Sequence, residues 1–148
     1  MRGPLEGTRV VDVASWMFIP SGGSVLADWG AEVIKVEPPT GDPQRGLITS
    51  GLVPGGAGGV NFMIEQPNRS KKSVAVDLTR PEGVEALMRL LETADVFLTS
   101  YLPAVRQKLG IDVPFFDTSC FYTRDGQPFV NAAGQPSTFG APEISLGA

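Results

Sequence analysis

The sequence predicts an α/β fold, a parallel β-sheet with helices packed on its faces, and two observations predict it. The first is order along the chain. A valine-rich run, a helical stretch and a second apolar run follow one another within about the first forty residues, and the same succession returns between Ser73 and Leu98. A strand, helix, strand unit of this size is almost always right-handed and parallel, so two in series imply a doubly wound sheet. The second is size. A chain of 148 residues, 42% hydrophobic and 19% charged, is expected to bury roughly 70% of the surface its unfolded form exposes, which is enough for a core.

The elements are read in order. Arg9 to Ala14 (RVVDVA), bounded by Gly7 and by the turn that follows, suits a buried strand. Pro20 stands where a first helical turn tolerates proline, and the helix runs through Ser24, Val25, Leu26 and Trp29 to a stop at Gly30. Glu32 to Val36 (EVIKV) is the next strand, closed by Pro38 and Pro39. From Gly46 to Val60 six glycines and one proline predict a loop without regular structure, either a solvated connector or a segment that closes over a ligand. Ser73 to Asp77 (SVAVD) reads as an alternating strand. Thr79 is the expected cap of the helix that follows, with Pro81 and Glu82 in its first turn and Val84, Leu87, Met88 and Leu91 as its apolar stripe. Ala94 to Leu98 predicts a strand and Pro103 to Leu109 a short helix ending at Gly110. Beyond Gly110 neither period holds. Aromatic residues crowd from Phe115 to Phe129, Asp125-Gly126 suits a hairpin turn, and roughly the last twenty residues are expected to be poorly ordered unless they lie against a neighbour.

Composition removes several function classes. Twelve basic against sixteen acidic residues give a net charge of −4, so recognition of nucleic acid or an anionic membrane through bulk charge is not expected. A single cysteine, Cys120, allows no internal disulfide framework or cysteine-based zinc cluster and fits a reducing compartment; it reads as a small buried hydrophobe rather than a reactive thiol. Histidine is absent, which removes His-dependent triads and most transition-metal sites; no metal is expected. The N-terminus lacks the apolar stretch of a signal peptide, and apolar runs are broken every few residues, so a cytoplasmic protein without a membrane partner is expected.

In such a fold the first strand-to-helix junction is the default ligand site, because a helix N-terminus offers free N–H groups and partial positive charge. The turn here, Ser15 to Gly23, carries Trp16, Met17 and Phe18 where a dinucleotide-binding GxGxxG needs glycine. Glu37 sits about where that motif places a ribose-binding acid, or else is a strand-end carboxylate facing water. The densest basic cluster, Asn68 to Ser73, reads either as a solvated turn or, with Arg45, as a grip on a phosphate-bearing ligand.

Gly7-Thr8-Arg9-Val10-Val11-Asp12, the string from Leu26 to Pro39 (LADWGAEVIKVEPP), Gly41-Asp42 with Arg45, Asn68-Arg69 followed by Lys72-Ser73 and Asp77, and Ala94-Asp95-Val96 resemble the class III coenzyme A transferases, the CaiB/BaiF group, in order from about Leu5 to Ile111. That group includes carnitine, formyl and aryl-acid CoA transferases and the α-methylacyl-CoA racemases. The resemblance implies a Rossmann-like large domain, a separate small domain, and two ring-shaped subunits interlocked as a homodimer. It implies CoA contacts at Ser15, Trp16, Met17 and Phe18, at Val74, Ala75 and Val76, and around Ser100, Tyr101 and Lys108. Arg45 and Lys72 join them as candidate phosphate ligands. No cofactor beyond CoA as substrate is implied.

The family's nucleophile is an aspartate whose carboxylate attacks the acyl-CoA thioester to give a mixed anhydride, which the departing thiolate or an incoming acid then opens. The string FDTSCFYTR resembles the segment around it and makes Asp117 the nucleophile, whereas on residues alone Asp117 reads as a turn or helix-cap aspartate. Here the chain passes from Leu109-Gly110-Ile111-Asp112 to that string without the segment the family places between them, and the small domain is expected to be absent. Residues 1–112 are therefore expected to form a Rossmann-like CoA-binding region and 113–148 a shortened nucleophile region. The expected activity is transfer of CoA between an acyl-CoA and a small carboxylic acid. The alternatives are a 2-methylacyl-CoA racemase, disfavoured because its two-base proton exchange usually uses histidine, or a CoA-binding form without chemistry.

Overall fold

The computed structural model describes residues 3–55 and 57–111. Four strands, β1 (Arg9–Val13), β2 (Glu32–Glu37), β3 (Lys72–Ala75) and β4 (Val96–Thr99), form one sheet in the order β3-β2-β1-β4, every neighbouring pair parallel. The central strand β1 is buried on both faces, so Val10, Val11 and Val13 are all buried, as in parallel strands between helices, and Asp12 between them is buried as well.

On one face Val10, Val33, Val96 and Leu98 meet Ile19, Leu26 and Ala27 of helix α1 (Phe18–Asp28). On the other, Val11, Val13 and Val36 lie under Leu87 and its neighbours on helix α4 (Pro81–Leu91) and under Leu109 and Ile111, at and beyond the end of helix α5 (Pro103–Leu109). Helix α1 leaves β1 toward the first face and α5 leaves β4 toward the second. Between the carboxyl ends of β1 and β4 the chain therefore diverges, which is where an open α/β sheet opens a crevice.

Helix ends follow local chemistry. Gly30, at φ +100°, lets the chain turn out of α1, and Gly110, at φ +68°, ends α5 in the left-handed conformation. Pro81 opens α4. Thr79 does not cap it: Arg80 holds the cap position, and the Thr79 hydroxyl and N–H both turn back to Asp77 Oδ1, at 2.6 and 3.0 Å. The aspartate completes a tight turn with its own side chain, satisfying groups a cap would have served. The apolar stripe of α4 runs through Val84, Leu87, Leu90 and Leu91, while Met88 is exposed.

Between β2 and β3 the structure is more regular than the glycine content suggests. Asp42 caps a 3-10 turn (Pro43–Arg45), helix α2 (Gly46–Thr49) follows, and a second 3-10 turn covers Ala57–Gly59. Gly46 takes ordinary helical angles, and the left-handed glycines, Gly51 and Gly58 among them, punctuate these single turns without abolishing them. Helix α3 (Phe62–Asn68), unforeseen in the sequence, packs against α1: Ser24 Oγ, buried, donates to the Pro67 carbonyl at 2.5 Å. The expected nucleophile Asp117, Cys120, the aromatic run Phe115 to Phe129, the Asp125-Gly126 turn and the whole of 113–148 lie outside the described residues.

Candidate functional site

The crevice at the carboxyl ends of β1 and β4 is built from the first strand-to-helix turn. Ser15 N–H donates to Ser100 Oγ at 3.1 Å, so the end of β1 is tied directly to the end of β4. Trp16 stands at φ +70°, in the left-handed region that a residue with a Cβ seldom occupies, and its N–H donates to Asp42 Oδ1 at 3.2 Å. The carbonyl of Ala14 accepts from Lys35 Nζ at 2.8 Å. These three ties run to β2, to the loop beyond it and to the end of β4. Its apolar side chains face out: Trp16 is 50% exposed, Met17 41% and Phe18 94%, with Leu102 beyond β4 at 71%. Large apolar side chains gathered at one end of a sheet, beside the N-terminus of α1, mark a surface built to be covered.

Beneath the turn lies a layer of buried charge on the face covered by α1 and α3. Asp12 of β1 and Lys35 of β2 are register partners, and neither is accessible. Lys71 reaches in from the chain after α3 and bonds Asp12 Oδ2 at 2.7 Å, the Pro20 carbonyl at 2.6 Å and Asn68 Oδ1 at 3.2 Å. Lys35 Nζ also pairs with Asp42 Oδ2 at 2.8 Å. Burial pushes the Asp12 carboxyl above the ordinary carboxylate range, although Lys71 pulls the other way, and burial pushes the Lys71 ammonium down. At the end of β2, Glu37 is buried too and does not face water. Burial alone would raise it, but the Arg45 guanidinium, at 2.7 and 3.0 Å, and the Asp42 N–H, at 2.9 Å, hold it below the usual range.

The structure brings some of the expected site residues together and separates others. Ser15 to Phe18 and Ser100-Tyr101 share the crevice. Val74, Ala75 and Val76 lie at the carboxyl end of the edge strand, with Val76 N–H on the Glu37 carbonyl at 2.8 Å. Arg45 also stands at that end of β2, half-exposed and spoken for by Glu37. Lys108, on the last turn of α5, lines an open cleft of about 640 Å³ with Leu78 to Pro81 and Val84. Lys72 stands apart. It begins β3 and pairs with Glu32, which also holds Arg9 at 2.6 Å, at the amino end of the sheet and about 16 Å along β2 from Glu37 by strand rise.

The basic cluster is consequently not a single grip: Arg69 and Lys72 stay exposed, Lys71 alone turns inward, and each takes a different carboxylate. Arg69 pairs with Asp28 at 2.5 Å, Lys71 is buried on Asp12, and Lys72 takes Glu32. Asp12, Lys35, Asp42 and Lys71 were missed as a group, although Asp12, Lys35 and Asp42 all stand within the strings that carry the family resemblance. Among the described residues no three or more Cys, Asp or Glu side chains are placed to hold a metal, and no helix is long and apolar enough to cross a membrane.

Comparison with known proteins meets this geometry. The family model described as CoA-transferase family III matches residues 5–116. A probable fatty acyl-CoA transferase of Mycobacterium tuberculosis is 44% identical over 108 residues, which are 73% of this chain and 27% of that protein. An (R)-2-hydroxy-4-methylpentanoate CoA-transferase of Clostridioides difficile is 41% identical over 107 residues, 72% of this chain and 27% of that one. Among solved structures, a CaiB/BaiF family protein from Brucella suis superposes with a TM-score of 0.66 at 33% identity, over 77% of this chain and 30% of that one. The chain spans about a quarter of the length of the curated relatives it matches. The parallel sheet in its order, the crevice between β1 and β4 and these matches agree, and the chain belongs to CoA-transferase family III.

Proposed function

We propose that this chain binds the CoA moiety of an acyl-CoA at the crevice between β1 and β4 and serves transfer of CoA to a small carboxylic acid. The observation that carries the reading is the tie from Ser15 N–H to Ser100 Oγ, which joins two of the expected CoA-contact segments at the carboxyl ends of neighbouring strands. Exposed Trp16, Met17 and Phe18 offer the apolar surface on which a pantetheine arm would lie, and Lys108 and Arg80, in and beside the α4–α5 cleft, offer positive charge for phosphates. The relatives bear the names of CoA-transferases, which favours transfer over racemisation.

Asp117 is the proposed nucleophile. Its carboxylate attacks the thioester carbonyl and expels the CoA thiolate, leaving an acyl-aspartyl anhydride; the thiolate attacks the aspartyl carbonyl of that anhydride, releasing the donor acid and leaving CoA on Asp117 as a thioester; the acceptor carboxylate then displaces the thiolate to form a second anhydride, which the thiolate opens at the acceptor carbonyl, freeing Asp117. Carboxylates are poor nucleophiles in water, so the step requires a thioester held by contacts elsewhere and N–H donors at the developing oxyanion.

Thermal unfolding with and without CoA tests the binding. At a hundred times the dissociation constant CoA is expected to add about 2.7 kcal/mol, and no shift sinks the reading. Incubation with acyl-CoA and then hydroxylamine is expected to leave a hydroxamate on Asp117 and none in Asp117→Asn; a label on Glu37, Asp77 or Cys120 refutes the nucleophile. Deuterium wash-in at the α-carbon without CoA exchange would restore the racemase. The exposed apolar end of the sheet and the exposed edge strand β3 support a homodimer, expected in light scattering as twice the chain mass; a monodisperse monomer over a wide concentration range refutes it.

A further inference from the structure

Among the described residues one buried carboxylate, Asp42, touches both the crevice turn and the loop beyond β2. The side chain and N–H of Asp42 make four connections. Its Oδ1 accepts from Trp16 N–H at 3.2 Å and from Gln44 N–H at 2.9 Å, its Oδ2 pairs with Lys35 Nζ at 2.8 Å, and its own N–H donates to Glu37 Oε2 at 2.9 Å. It is 2% exposed. The preceding residue, Gly41, stands at φ +82°, a left-handed conformation that favours glycine, where the chain turns from β2 to Asp42.

Trp16 is the residue that needs such a partner. A side chain at φ +70° is disfavoured on its own and persists only where surrounding contacts over-determine it. Two polar groups of the turn, the Ala14 carbonyl and the Trp16 N–H, are taken by Lys35 and Asp42, which are themselves paired. Any return of Trp16 to ordinary angles would swing Met17 and Phe18 and re-aim the first N–H groups of α1.

We infer that Asp42 is a positioning residue: with Lys35 it locks Trp16 in the left-handed conformation and so fixes the turn from Ser15 to Phe18 in a ligand-ready form. The inference rests on the reading of that turn as a CoA contact, yet the lock itself is measurable without CoA. The lock also explains why charge is buried here. An apolar residue at position 42 would fill the space but leave the Trp16 N–H and the Gln44 N–H without acceptors and the Lys35 ammonium with the Ala14 carbonyl but without its carboxylate partner.

The test uses the full chain carrying Trp29→Phe, so that Trp16 is the remaining indole, and adds Asp42→Ala, Asp42→Asn or, as a control elsewhere in the core, Val33→Ala. Amide exchange of Trp16 and its fluorescence are read without ligand, and CoA is then titrated. Asp42→Ala is expected to speed exchange of the Trp16 amide about tenfold, red-shift its emission and raise the Kd for CoA about tenfold. Asp42→Asn keeps an Oδ1 acceptor and is expected to restore protection to within about twofold. Val33→Ala is expected to lower Tm while moving neither signal. Should Asp42→Ala not fold, Asp42→Ser carries the same expectation, because its shorter hydroxyl caps Gln44 without reaching Trp16. Unchanged Trp16 protection in Asp42→Ala or Asp42→Ser overturns the inference, as does an equal loss in Val33→Ala. Loss of protection in a protein that binds no CoA upholds the lock and refutes the CoA reading; CoA binding that is indifferent to position 42 refutes the positioning and leaves the CoA reading standing.

Discussion

Lys71 and Asp12 show how little room a buried ion pair leaves around itself. The carboxylate belongs to a central strand and the ammonium arrives from 59 residues away, and a Cβ added at Gly23 of α1 would stand 2.9 Å from Asp12 Oδ2 and 3.0 Å from Lys71 Nζ. Asp12 Oδ1 has no hydrogen-bond partner among the described residues, which adds to the cost of the charge. Desolvation works against both partners, so the pair contributes less than its short distance suggests, whereas removing either partner alone strands the other. Lys71→Met and Asp12→Leu are each expected to cost about 3–5 kcal/mol in urea unfolding, and the double variant to cost far less than their sum. Additive losses would show that the two charges are satisfied independently. The same logic makes Gly23→Ala destabilising, since neither charged group can give way.

Helix α4 approaches the chain that leaves β3 most closely at one glycine. A Cβ at Gly83 would fall 2.0 Å from the Asp77 carbonyl oxygen, which is backbone and cannot step aside. Gly83→Ala is expected to lift the first turn of α4 off the end of β3, lowering stability by about 1–3 kcal/mol or more and leaving α1 in place, as read by amide exchange in the two helices. Elements of this kind were legible in the sequence because their apolar pattern is local: β1, α1, β2, α4 and α5 stand where the sequence places them, with ends shifted by a residue or two, although Val25 and Trp29, read into α1, and Met88, read into the stripe of α4, are exposed. Helix α3 was not, because it buries only Ile64 and Pro67 and carries a proline inside it, so no stripe repeats. At the site, the crevice followed from the order of strands and helices. The charged layer beneath it did not, because nothing in the string EVIKVE distinguishes a lysine buried at 1% exposure from one in water, and its partners Ala14 and Asp42 come from other elements.

At the scale of the molecule, Glu37 and Glu32 on one side and Asp12 on the other respond to acid in opposite directions. Burial would raise Glu37, but Arg45 and the Asp42 N–H outweigh it; Glu32 is lowered by Lys72 and Arg9. A carboxyl lowered on folding contributes stability that is complete above its ordinary value of 4.5 and is lost as pH falls through its folded value. Asp12, raised by burial, acts in the other direction: its ionised form opposes folding, and acid relieves it. Urea midpoints are therefore expected to fall between about pH 5 and pH 3, less steeply in Glu37→Gln and more steeply in Asp12→Asn; a Glu37→Gln protein with the unaltered slope would remove Glu37 from the account. The sheet order has a further consequence for timing. Strand β1 meets β2 early, but its other edge waits for β4, with 86 residues between Arg9 and Asp95, whose side chain accepts the Arg9 N–H. At synthesis rates of 5–20 residues per second, that leaves roughly 4 to 17 s during which the valine edge of β1 has emerged from the ribosome without its neighbour, long enough for chaperone capture and long enough for a second nascent copy to pair there instead.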